Sequence, residues 1–397
     1  MTGLCLACGS KLGGKLFELE DVPLVDSFVP RREDAIRVPR YTIKLAPCLD
    51  CKSLQIVNPP DTRGIYENYI YESGTSPDLS EHFTNFVTYV ENLGHRKDAL
   101  IVEVGANDGL LLRILHERGY QRMVAIDPSP QTAAIKISGV TILNSFFNED
   151  VKVRLGEEKA FLIIANNCFS HIPDLLGKLK LCKSLLATGG AIIVEVQSAL
   201  SLLENVVFDY IYHEHYFYHS ALSFRNLVRR SGLNITKIDL LPTKGGSYRF
   251  TLAHEEDEPE TAAVDYWLYK ESLVEINALA TWNNLYRYLE LIKHQTHQFL
   301  ENNLDKRLVG YGASATGTVL IKYLGLEDRI ELIVDDNPGR QGLYAPGSGI
   351  PVKDNTELRS SDLCIVLAWR HSGLIQKRLR KLSVPHICPL PFFEKFI

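Results

Sequence analysis

Short, mostly apolar runs separated by amphipathic stretches dominate the middle of the chain. Runs of four to six such residues that alternate with helical patterns are typical of strands in a parallel, doubly wound α/β sheet. In such sheets, ligands bind at the carboxyl ends of the strands. An amphipathic pattern at about 78–93 predicts a helix in front of the sheet. The predicted strands are 100–104, 123–126, 140–143, 160–165 and 191–196.

The last third of the chain repeats this pattern after a polar, acidic segment at 255–260. We predict a long helix over about 262–302, followed by a second α/β unit. The first strand of each unit leads into a glycine-containing loop, at 105–109 and at 310–317. The fold class is therefore α/β, with two sheets that each carry a ligand site. The predicted strands of the second unit are 307–310, 330–334 and 363–368.

Four cysteines near the N-terminus form two Cys-x2-Cys pairs that are 39 residues apart. Each pair turns two thiolates to one side of a tight bend, and four thiolates complete a closed, tetrahedral structural Zn²⁺ site. Two disulfides or free thiols are the alternative, which the absence of a secretory signal disfavours. We predict a zinc module with short strands near 40–45 and 54–57. Its ligands are Cys5, Cys8, Cys48 and Cys51.

Composition and charge limit the kinds of molecule that the protein is expected to bind. The 397 residues are 45% hydrophobic and 23% charged, with a net charge of −5. The chain has no long basic run of the kind that binds nucleic acid, and no apolar stretch approaches the 18 residues of a membrane span. Since the first residues lead straight into the zinc knuckle, we expect no targeting peptide and a cytoplasmic protein. No feature demands a partner protein.

The loop after the first strand reads E-V-G-A-N-D-G rather than the G-x-G-x-x-G of dinucleotide sites. Asp108 would repel a phosphate but suits a sulfonium or amino group, and Asp127 after the second strand suits ribose hydroxyls. This pattern favours S-adenosylmethionine over NAD, and an unliganded turn is the remaining interpretation. Phe146 would flank an adenine, unless it is a core aromatic, and the asparagines are alternatively turn formers. The candidate donor-binding residues are Glu103, Gly105, Asn107, Asp108, Asp127, Phe146, Asn166 and Asn167.

Residues 210–219 read Tyr-Ile-Tyr-His-Glu-His-Tyr-Phe-Tyr-His. Imidazole is the usual general base near neutral pH, tyrosine hydroxyls can hold an enolate oxygen, and an adjacent carboxylate can orient an imidazole. The cluster therefore predicts a catalytic histidine beside the donor site. A polar surface helix is one alternative. A second metal site that uses His213, Glu214, His215 or His219 is another, although His213 and His215 are two residues apart and lack the i, i+4 spacing of a helical ligand pair.

These features resemble the S-adenosylmethionine-dependent C-methyltransferases that act on nucleotide-linked deoxysugars. The matching motifs follow in order along nearly the whole chain: the two Cys-x2-Cys pairs, E-V-G-A-N-D-G, N-N-C-F-S-H-I-P-D, Y-H-E-H-Y-F-Y-H-S, G-G-S-Y-R and V-G-Y-G-A-S-A-T-G. The resemblance implies three parts, which we place at 1–62 (zinc-binding domain), 63–255 (Rossmann-like methyltransferase domain) and 256–397 (C-terminal Rossmann-like α/β domain). One departure is Tyr218-His219-Ser220, where the family often has an aromatic residue before the serine.

The resemblance also implies the catalytic residues. By motif, His215 is the base that removes a proton beside a keto group, with Glu214 next to it and Tyr212 on the same segment. His171, after the fourth strand, lines the site. A tyrosine from the linker after the zinc module contributes as well. The linker candidates are Tyr66 for catalysis and Tyr69 and Tyr71 for substrate binding.

The C-terminal domain is then expected to hold the nucleotide sugar. Hydroxyls at a helix start favour an anion such as a sugar diphosphate, although a dinucleotide would fit the same loop. The glycines before Arg249 are expected to form a loop that closes on the sugar, with a plain hairpin turn as the alternative. The candidate substrate-binding residues are Gly246, Ser247, Arg249, Ser314, Thr316, Asp336 and Asn337.

The expected reaction is methylation of a ring carbon of a nucleotide-linked 4-keto-6-deoxysugar, at C3 in preference to C5. A carbon beside a ketone becomes nucleophilic only after it loses a proton, so the site needs a base, a group that stabilises the enolate oxygen, and an in-line methyl donor. An NAD(P)-dependent nucleotide-sugar oxidoreductase that uses the C-terminal glycine loop is the first alternative. A non-catalytic, zinc-bearing scaffold is the second.

Overall fold

In a computed structural model that describes residues 3–61, 74, 77–94 and 96–396, the strands form three sheets. The first contains the antiparallel strands β1 (Phe17–Pro23), β2 (Arg40–Pro47) and β3 (Leu54–Ile56), with the short helix α1 (Arg32–Ile36) between β1 and β2. A two-residue strand from the middle of the chain, β9 (Phe217–Tyr218), pairs with β3. The N-terminal sheet therefore contains part of the predicted catalytic segment.

The second sheet lies at the centre of the molecule. Its strands stand in the order β10-β11-β8-β7-β4-β5-β6, and β4 to β8 run parallel. All five residues of β4 are buried, which explains why such strands have continuous apolar runs. The five predicted strands are confirmed. The strands are β4 (Leu100–Val104), β5 (Arg122–Ile126), β6 (Val140–Leu143), β7 (Ala160–Asn166), β8 (Leu186–Gln197), β10 (Leu233–Leu241) and β11 (Ser247–His254).

Helices cover both faces of the central sheet. One face packs against α2 and α3 around Phe86 and Leu111, and the other packs against α6 and α8 around Leu179 and Phe224. The antiparallel strand β11, which the apolar runs did not predict, lies between β8 and β10. The helices are α2 (Pro77–Asn92), α3 (Leu110–Glu117), α4 (Pro130–Ala133), α5 (Asp150–Leu155), α6 (Leu175–Leu185), α7 (Ala199–Glu204) and α8 (Ala221–Arg230).

The third sheet has the order β14-β13-β12-β15-β16-β17 and is parallel except for its last strand. Its predicted strands are confirmed, with β12 and β13 beginning one or two residues later than expected. The elements of this region are α9 (Ala262–Val274), α10 (Leu279–Glu301), β12 (Leu308–Tyr311), α11 (Ala315–Leu324), β13 (Leu332–Val334), β14 (Val352–Lys353), β15 (Leu363–Val366), α12 (Ser372–Lys381), β16 (His386–Cys388) and β17 (Glu394–Phe396).

The prediction of one continuous helix over 262–302 is wrong, because the chain breaks between α9 and α10. Glu275 ends α9 in the left-handed region, with φ at 52°. The indole nitrogen of Trp282 donates to the Ile276 carbonyl at 2.7 Å, and the Thr281 hydroxyl donates to the Val274 carbonyl at 2.9 Å. These side chains satisfy the carbonyls that a continuous helix would have used.

Within the part of the chain that the structure describes, no helix has the length and apolar character needed to cross a membrane.

Candidate active site

One cavity of about 580 Å³ opens at the carboxyl ends of β4, β5 and β7. It is lined by seven of the eight predicted donor-binding residues and by the four predicted catalytic residues that lie in the described part of the chain. The two predicted sites therefore share one chamber. The lining residues that the sequence predicted are Glu103, Gly105, Asn107, Asp127, Phe146, Asn166, Asn167, His171, Tyr212, Glu214 and His215.

The loop after β4 turns sharply beneath the cavity. Gly105 has a φ of 79°, and a Cβ atom there would lie 2.8 Å from the Cβ of Cys168. Asn107 also adopts a left-handed conformation, with φ at 48°. Only glycine avoids both the steric penalty and the contact at position 105. The turn therefore places Gly105 and Asn107 along the lining of the cavity.

Two backbone amides hold the carboxylate of Asp127. The amide of Asn107 donates to Oδ2 at 3.2 Å, and the amide of Ser129 donates to Oδ1 at 2.8 Å. Each carboxylate oxygen can accept more than one hydrogen bond, so both oxygens retain capacity for ribose hydroxyls. Asp127 thus lies at the cavity with a fixed orientation and with acceptor capacity left.

Buried polar atoms without partners test whether these residues fit a donor with an amino-acid end. Among the contacts of the described residues, Oε2 of Glu103 and both side-chain heteroatoms of Asn166 have no hydrogen-bond partner, although both residues are buried and line the cavity. Leaving such groups unsatisfied is costly. Burial, and then the charge of Asp127, raise the pKa of Glu103 well above its usual value. An ammonium and a carboxylate would satisfy these atoms, so the residues fit the methionine part of S-adenosylmethionine.

Replacing Glu103 with Gln is expected to weaken donor binding by about ten- to a hundredfold, the usual worth of a hydrogen bond to a charged group. A cationic amino group would favour the ionised carboxylate, so the affinity of the wild type should rise with pH through the raised pKa of Glu103. Calorimetric titration with S-adenosylhomocysteine at several pH values measures both effects. Glu117→Gln, at the exposed end of α3, is the matched control. Equal affinities for the wild type and E103Q would contradict the assignment.

Asp108 is the predicted donor residue that does not line the cavity. Its Oδ2 accepts a hydrogen bond from the Gly74 amide at 2.8 Å, and its Oδ1 accepts a weaker one from the Leu110 amide at 3.3 Å. The structure therefore corrects the expectation that this carboxylate faces a sulfonium. Asp108 instead ties the start of α3 to residue 74.

The segment that carries His215 is a buried turn between the 3₁₀ turn Phe208–Tyr210 and β9. Nδ1 of His215 lies 2.9 Å from the carbonyl oxygen of Tyr210. Because a carbonyl only accepts, Nδ1 carries the proton and Nε2 keeps the lone pair of a base. The ring stacks parallel to Tyr210 at 5.7 Å between centroids and lies 4.3 Å from Tyr212.

A second imidazole lies beside the first. The ring centroids of His171 and His215 are 4.8 Å apart, and Nδ1 of His171 lies 2.8 Å from the carbonyl oxygen of Glu214. Burial lowers the pKa of His171 to about 4, and burial together with His171 lowers the pKa of His215 well below its usual value. Both rings are therefore neutral near pH 7, which is the form that a general base requires.

The pKa of Glu214 is shifted in the opposite direction from the pKa values of the two histidines. Burial, and then the charge of Asp26, raise the pKa of Glu214 to about 8, while Arg340 acts against that rise. Near neutral pH the carboxyl group is mostly protonated and can donate a hydrogen bond into the cavity. Environments that push the pKa values of neighbouring groups apart separate bases from acids. The expectation that Glu214 orients the imidazole is wrong, because the carbonyl of Tyr210 does so.

The other two histidines of the cluster belong to the core. His213 lies edge-on to Tyr41 with 5.4 Å between ring centroids, and His219 lies among Phe217 and Phe224. Both are at most 1% exposed, and neither lines the cavity. The segment is buried, so the alternative of a polar surface helix is wrong. Among the described residues, the group found that could hold a metal ion is the cysteine tetrad.

The four cysteine sulfurs lie within 4.8 Å of one another. Sγ of Cys5 is 3.7 Å from Sγ of Cys51, and Sγ of Cys8 is 3.6 Å from Sγ of Cys48. A tetrahedron with Zn–S bonds of about 2.3 Å has edges of about 3.8 Å. The tetrad thus fits a closed, structural Zn²⁺ site, as the spacing predicted.

Backbone hydrogen bonds connect the zinc module to both histidine segments. The carbonyls of Leu6 and Ala7, inside the first knuckle, accept from the amides of Asp174 and Leu176 at 2.7 and 3.0 Å. These amides begin α6, directly after the loop of His171. The amide of Ile56 donates to the Tyr216 carbonyl at 3.0 Å, next to the β3–β9 pairing. The zinc module is therefore hydrogen-bonded next to both segments that carry the imidazoles.

The C-terminal domain contacts the same segment through Arg370. Its guanidinium pairs with the buried carboxylate of Asp209 at 2.9 Å, donates to Oγ1 of Thr316 at 2.7 Å, and lies 4.4 Å from the ring centroid of Tyr210. The indole nitrogen of Trp369 also donates to Asp209, at 2.8 Å. Since the Tyr210 carbonyl binds His215, this ion pair holds the residue that orients the His215 ring.

Replacing Arg370 with Met is expected to lower the free energy of unfolding by about 3–5 kcal/mol, because it leaves the carboxylate of Asp209 buried without its partner. Denaturant unfolding measures the loss. Arg378→Met, which removes a partly exposed ion pair with Asp336, serves as the control and should cost less than about 1 kcal/mol. Equal losses in the two variants would contradict the assigned role.

None of the seven predicted substrate-binding residues in the described chain lines the cavity. Ser314 caps α11, Asn337 is exposed, and Asp336 accepts hydrogen bonds from the side chains of Tyr311 and Asn355. Thr316 accepts from Arg370, as described above. Tyr66, Tyr69 and Tyr71 lie outside the described residues.

Arg249 and Ser247 do not lie in the loop that the sequence predicted. Ser247 and Arg249 belong to β11, and the guanidinium of Arg249 forms a buried ion pair with Glu195 at 2.6 Å. His82 of α2 binds the other oxygen of Glu195 at 2.7 Å. Gly246 lies so close to α7 that a Cβ there would be 2.2 Å from the Cβ of Ser201. Arg249 therefore holds α2 to the sheet instead of facing a sugar.

Sequence reasoning missed several residues that line the cavity, including Asp61, Tyr216 and Lys244. Lys244 directly precedes the Gly-Gly of the G-G-S-Y-R motif, so its position next to a tight turn was the available signal. That signal is weak, because a single lysine outside any repeating or ligand-spacing pattern does not by itself indicate a site residue.

The fold and the cavity define a class of protein, and the matches to families agree with it. Residues 80–238 match the family described as "Methyltransferase domain", and this range contains most of the central sheet and of the cavity lining. The class is thus a methyltransferase with a Rossmann-like catalytic sheet. Residues 242–391 match the family described as "C-methyltransferase C-terminal domain". The two matched regions together cover most of the chain and resemble methyltransferases, and the second resembles C-methyltransferases in particular.

Individual proteins show similarity over different lengths. The chain is 27% identical to C-methyltransferase NovU of Streptomyces niveus, over 98% of this chain and 95% of that protein. A solved structure of the 1,6-didemethyltoxoflavin N1-methyltransferase of Burkholderia thailandensis is 15% identical, with a TM-score of 0.36, over 51% of this chain and 96% of that chain. Magnesium protoporphyrin IX methyltransferase of Synechocystis is 13% identical, with a TM-score of 0.35, over 49% and 88%. The two family matches favour the methyltransferase over the oxidoreductase alternative.

Proposed function

We propose that the protein transfers the methyl group of S-adenosylmethionine to a ring carbon of a nucleotide-linked 4-keto-6-deoxysugar, with C3 favoured and C5 possible. The observation that carries the proposal is the shared cavity, in which the neutral, carbonyl-oriented imidazole of His215 lies together with the donor-type loop after β4. The sequence resemblance supports the sugar, and the observed site supports the order of events that follows.

In this proposal, His215 removes the proton from the carbon beside the ketone. Nε2 accepts the proton, and the electron pair of the C–H bond moves into an enolate whose negative charge lies on the oxygen. Tyr212, or a tyrosine of the linker at 66–71, donates a hydrogen bond to that oxygen. Neutral Glu214 offers a further hydrogen bond to the substrate. The carbonyl of Tyr210 keeps the proton-accepting nitrogen turned away from itself.

When bound, S-adenosylmethionine supplies an electrophilic methyl group. The residues after β4, β5 and β7 would hold its parts: Asp127 the ribose hydroxyls, Glu103 and Asn166 the amino-acid end, and Phe146 the adenine. The nucleophilic carbon then lies between two walls of one chamber, which excludes water and limits the motion of both reactants. The C-terminal domain, with Ser314 and Thr316 at the start of α11, remains the proposed holder of the nucleotide diphosphate.

Incubation with S-adenosylmethionine and a panel of nucleotide 4-keto-6-deoxysugars in deuterated water tests the proposal. Mass spectrometry should detect a product that is heavier by one methyl group, and deuterium should enter the carbon beside the ketone. Mixtures without donor show whether exchange proceeds alone, and mixtures with NAD(P) in place of the donor serve as the control. Methylation of an oxygen or nitrogen, or no exchange and no methyl gain across the panel, would contradict the proposal.

A further inference from the structure

A lysine that the sequence did not single out enters the cavity from the turn between β10 and β11. Lys244 lines the chamber that also contains His171, Tyr212 and His215. Its backbone is left-handed, with φ at 55° and ψ at 28°, although a side chain disfavours that conformation. Backbone strain of this kind persists only where the surroundings enforce it and is frequent at functional sites.

The surroundings of the turn leave its backbone little freedom. The side-chain amide of Asn205 donates to the Gly245 carbonyl at 2.9 Å, and the amide of Ser198 donates to the Gly246 carbonyl at 3.1 Å. A Cβ at Gly245 would lie 2.9 Å from the Val207 side chain. The turn is therefore packed against α7 and the chain that follows it. Lys244 extends into the cavity from a backbone that these contacts hold in place.

The charges around Lys244 leave its ammonium without a dedicated partner. Glu195 attracts it, but that carboxylate already binds Arg249 and His82. The ion pairs of the described residues do not include Lys244. Cys168 is the other titratable group that attracts it, His171 and His215 face it as like charges when protonated, and Arg370 lies near Gly245. Burial lowers the pKa of Lys244 to about 8, so the ammonium form persists at neutral pH.

We propose that the Lys244 ammonium donates a hydrogen bond to the substrate oxygen that becomes negative when His215 removes the neighbouring proton. This inference rests on the proposed function, because the oxygen acquires charge only if the substrate is enolised. The C–H electron pair moves into the enolate, Nε2 of His215 takes the proton, and Lys244 stabilises the charge without giving up its own proton. The charge disappears when the carbon forms its bond to the methyl group and the S–CH₃ bond breaks.

A positively charged group stabilises the negative enolate oxygen better than a neutral hydroxyl alone. A charged donor strengthens the hydrogen bond to an anion, and burial in a chamber of low dielectric strengthens it further. The same charge opposes protonation of His171 and His215, so both imidazoles stay neutral and His215 remains able to accept a proton. Lys178 also lines the chamber, but it lies on α6 beyond Asp174, and the pKa shifts of the two imidazoles are caused in part by Lys244.

The test compares Lys244→Gln with Lys244→Arg in the full-length, zinc-loaded protein. For K244Q, we expect both deuterium exchange without donor and methyl transfer to fall by about 10²–10³-fold, as for loss of one oxyanion donor. Affinity for S-adenosylhomocysteine should stay within threefold. K244R keeps a cationic donor and should recover activity to within about tenfold of the wild type. Lys180→Gln, exposed on α6, is the control.

The pH profile separates this role from a purely structural one. Removing the charge of Lys244 relieves a like charge on His215, so the pKa of His215 rises and the acid limb of kcat/KM should move to higher pH in K244Q but not in K244R. Unchanged exchange in K244Q would overturn the proposal, as would a loss confined to donor affinity, which would assign Lys244 to the donor carboxylate. A wild type that neither exchanges nor methylates would instead overturn the proposed function.

Discussion

Replacing His215 with Gln is expected to lower turnover by two or more orders of magnitude, the usual contribution of a general base. Glutamine can replace the hydrogen bond to the Tyr210 carbonyl but has no lone pair basic enough to take a proton from carbon. Donor affinity should survive, because the donor-type residues follow β4, β5 and β7 rather than the 211–216 turn. Single-turnover kinetics and calorimetry with S-adenosylhomocysteine measure the two quantities.

Deuterium exchange gives the sharper readout for the same variant. H215Q should lose exchange together with methyl transfer, whereas His116→Gln, exposed on α3, should retain both. In the wild type, the acid limb of kcat/KM for the sugar should fall as the pH drops through the lowered pKa of His215, since the base acts in its neutral form. Near-normal turnover in H215Q would place the base elsewhere, with His171, 4.8 Å away between ring centroids, next in line.

Loss of the zinc site is expected to abolish both metal binding and turnover. Cys48→Ser removes one of the four sulfurs, and structural zinc contributes about 10–16 kcal/mol of binding free energy in small zinc-folded peptides. The N-terminal module also packs on the rest of the protein, for example through Phe17 and Trp282, at 5.6 Å between ring centroids. We therefore expect a disordered module rather than a fully unfolded chain. Elemental analysis and thermal unfolding measure zinc content and stability.

The consequence for catalysis follows from the hydrogen bonds of Leu6, Ala7 and Ile56, which connect the module to the segments of His171 and His215. C48S should therefore lose deuterium exchange even in preparations that still bind S-adenosylhomocysteine. Cys182→Ala, a buried cysteine of α6 outside the tetrad, should keep one zinc per chain and most of the activity. Full turnover in zinc-free C48S would show that the module does not position the histidines.

The parallel strands and the zinc ligands were accessible from the sequence because their signals are local. The run at 100–104 is apolar except for Glu103, since β4 is buried on both faces. A pair of Cys-x2-Cys turns is typical of a structural zinc site. The hairpin of β10 and β11 was missed for the opposite reason. In β10, the alternation of buried and exposed residues is interrupted by an irregularity between Ile235 and Lys237. In β11, polar residues such as Ser247 and Arg249 are buried among apolar ones, so this strand has neither a continuous apolar run nor an alternating pattern.

Partners that are distant in sequence decided which polar residues face the cavity. Asp108 lies within a motif of donor type, yet the Gly74 amide, 34 residues away, takes its carboxylate. Arg249 follows a glycine turn, yet Glu195 on the neighbouring strand neutralises it. Four histidines come from two short segments, and only two of them reach the chamber. No local sequence pattern shows which of several distant partners a polar side chain will bind.

The sequence by itself determined the α/β class, the candidate zinc ligands and the two segments of the proposed chemistry, because hydrophobic period and ligand spacing act over a few residues. Only the tertiary structure decided that His215 is oriented by a backbone carbonyl, that His213 and His219 turn into the core, and that Lys244 reaches the chamber. These outcomes depend on the pairing of β9 with β3 and on the packing of the 243–246 turn against α7. Such contacts join residues that are far apart in the chain, and their geometry exists only after the core has formed.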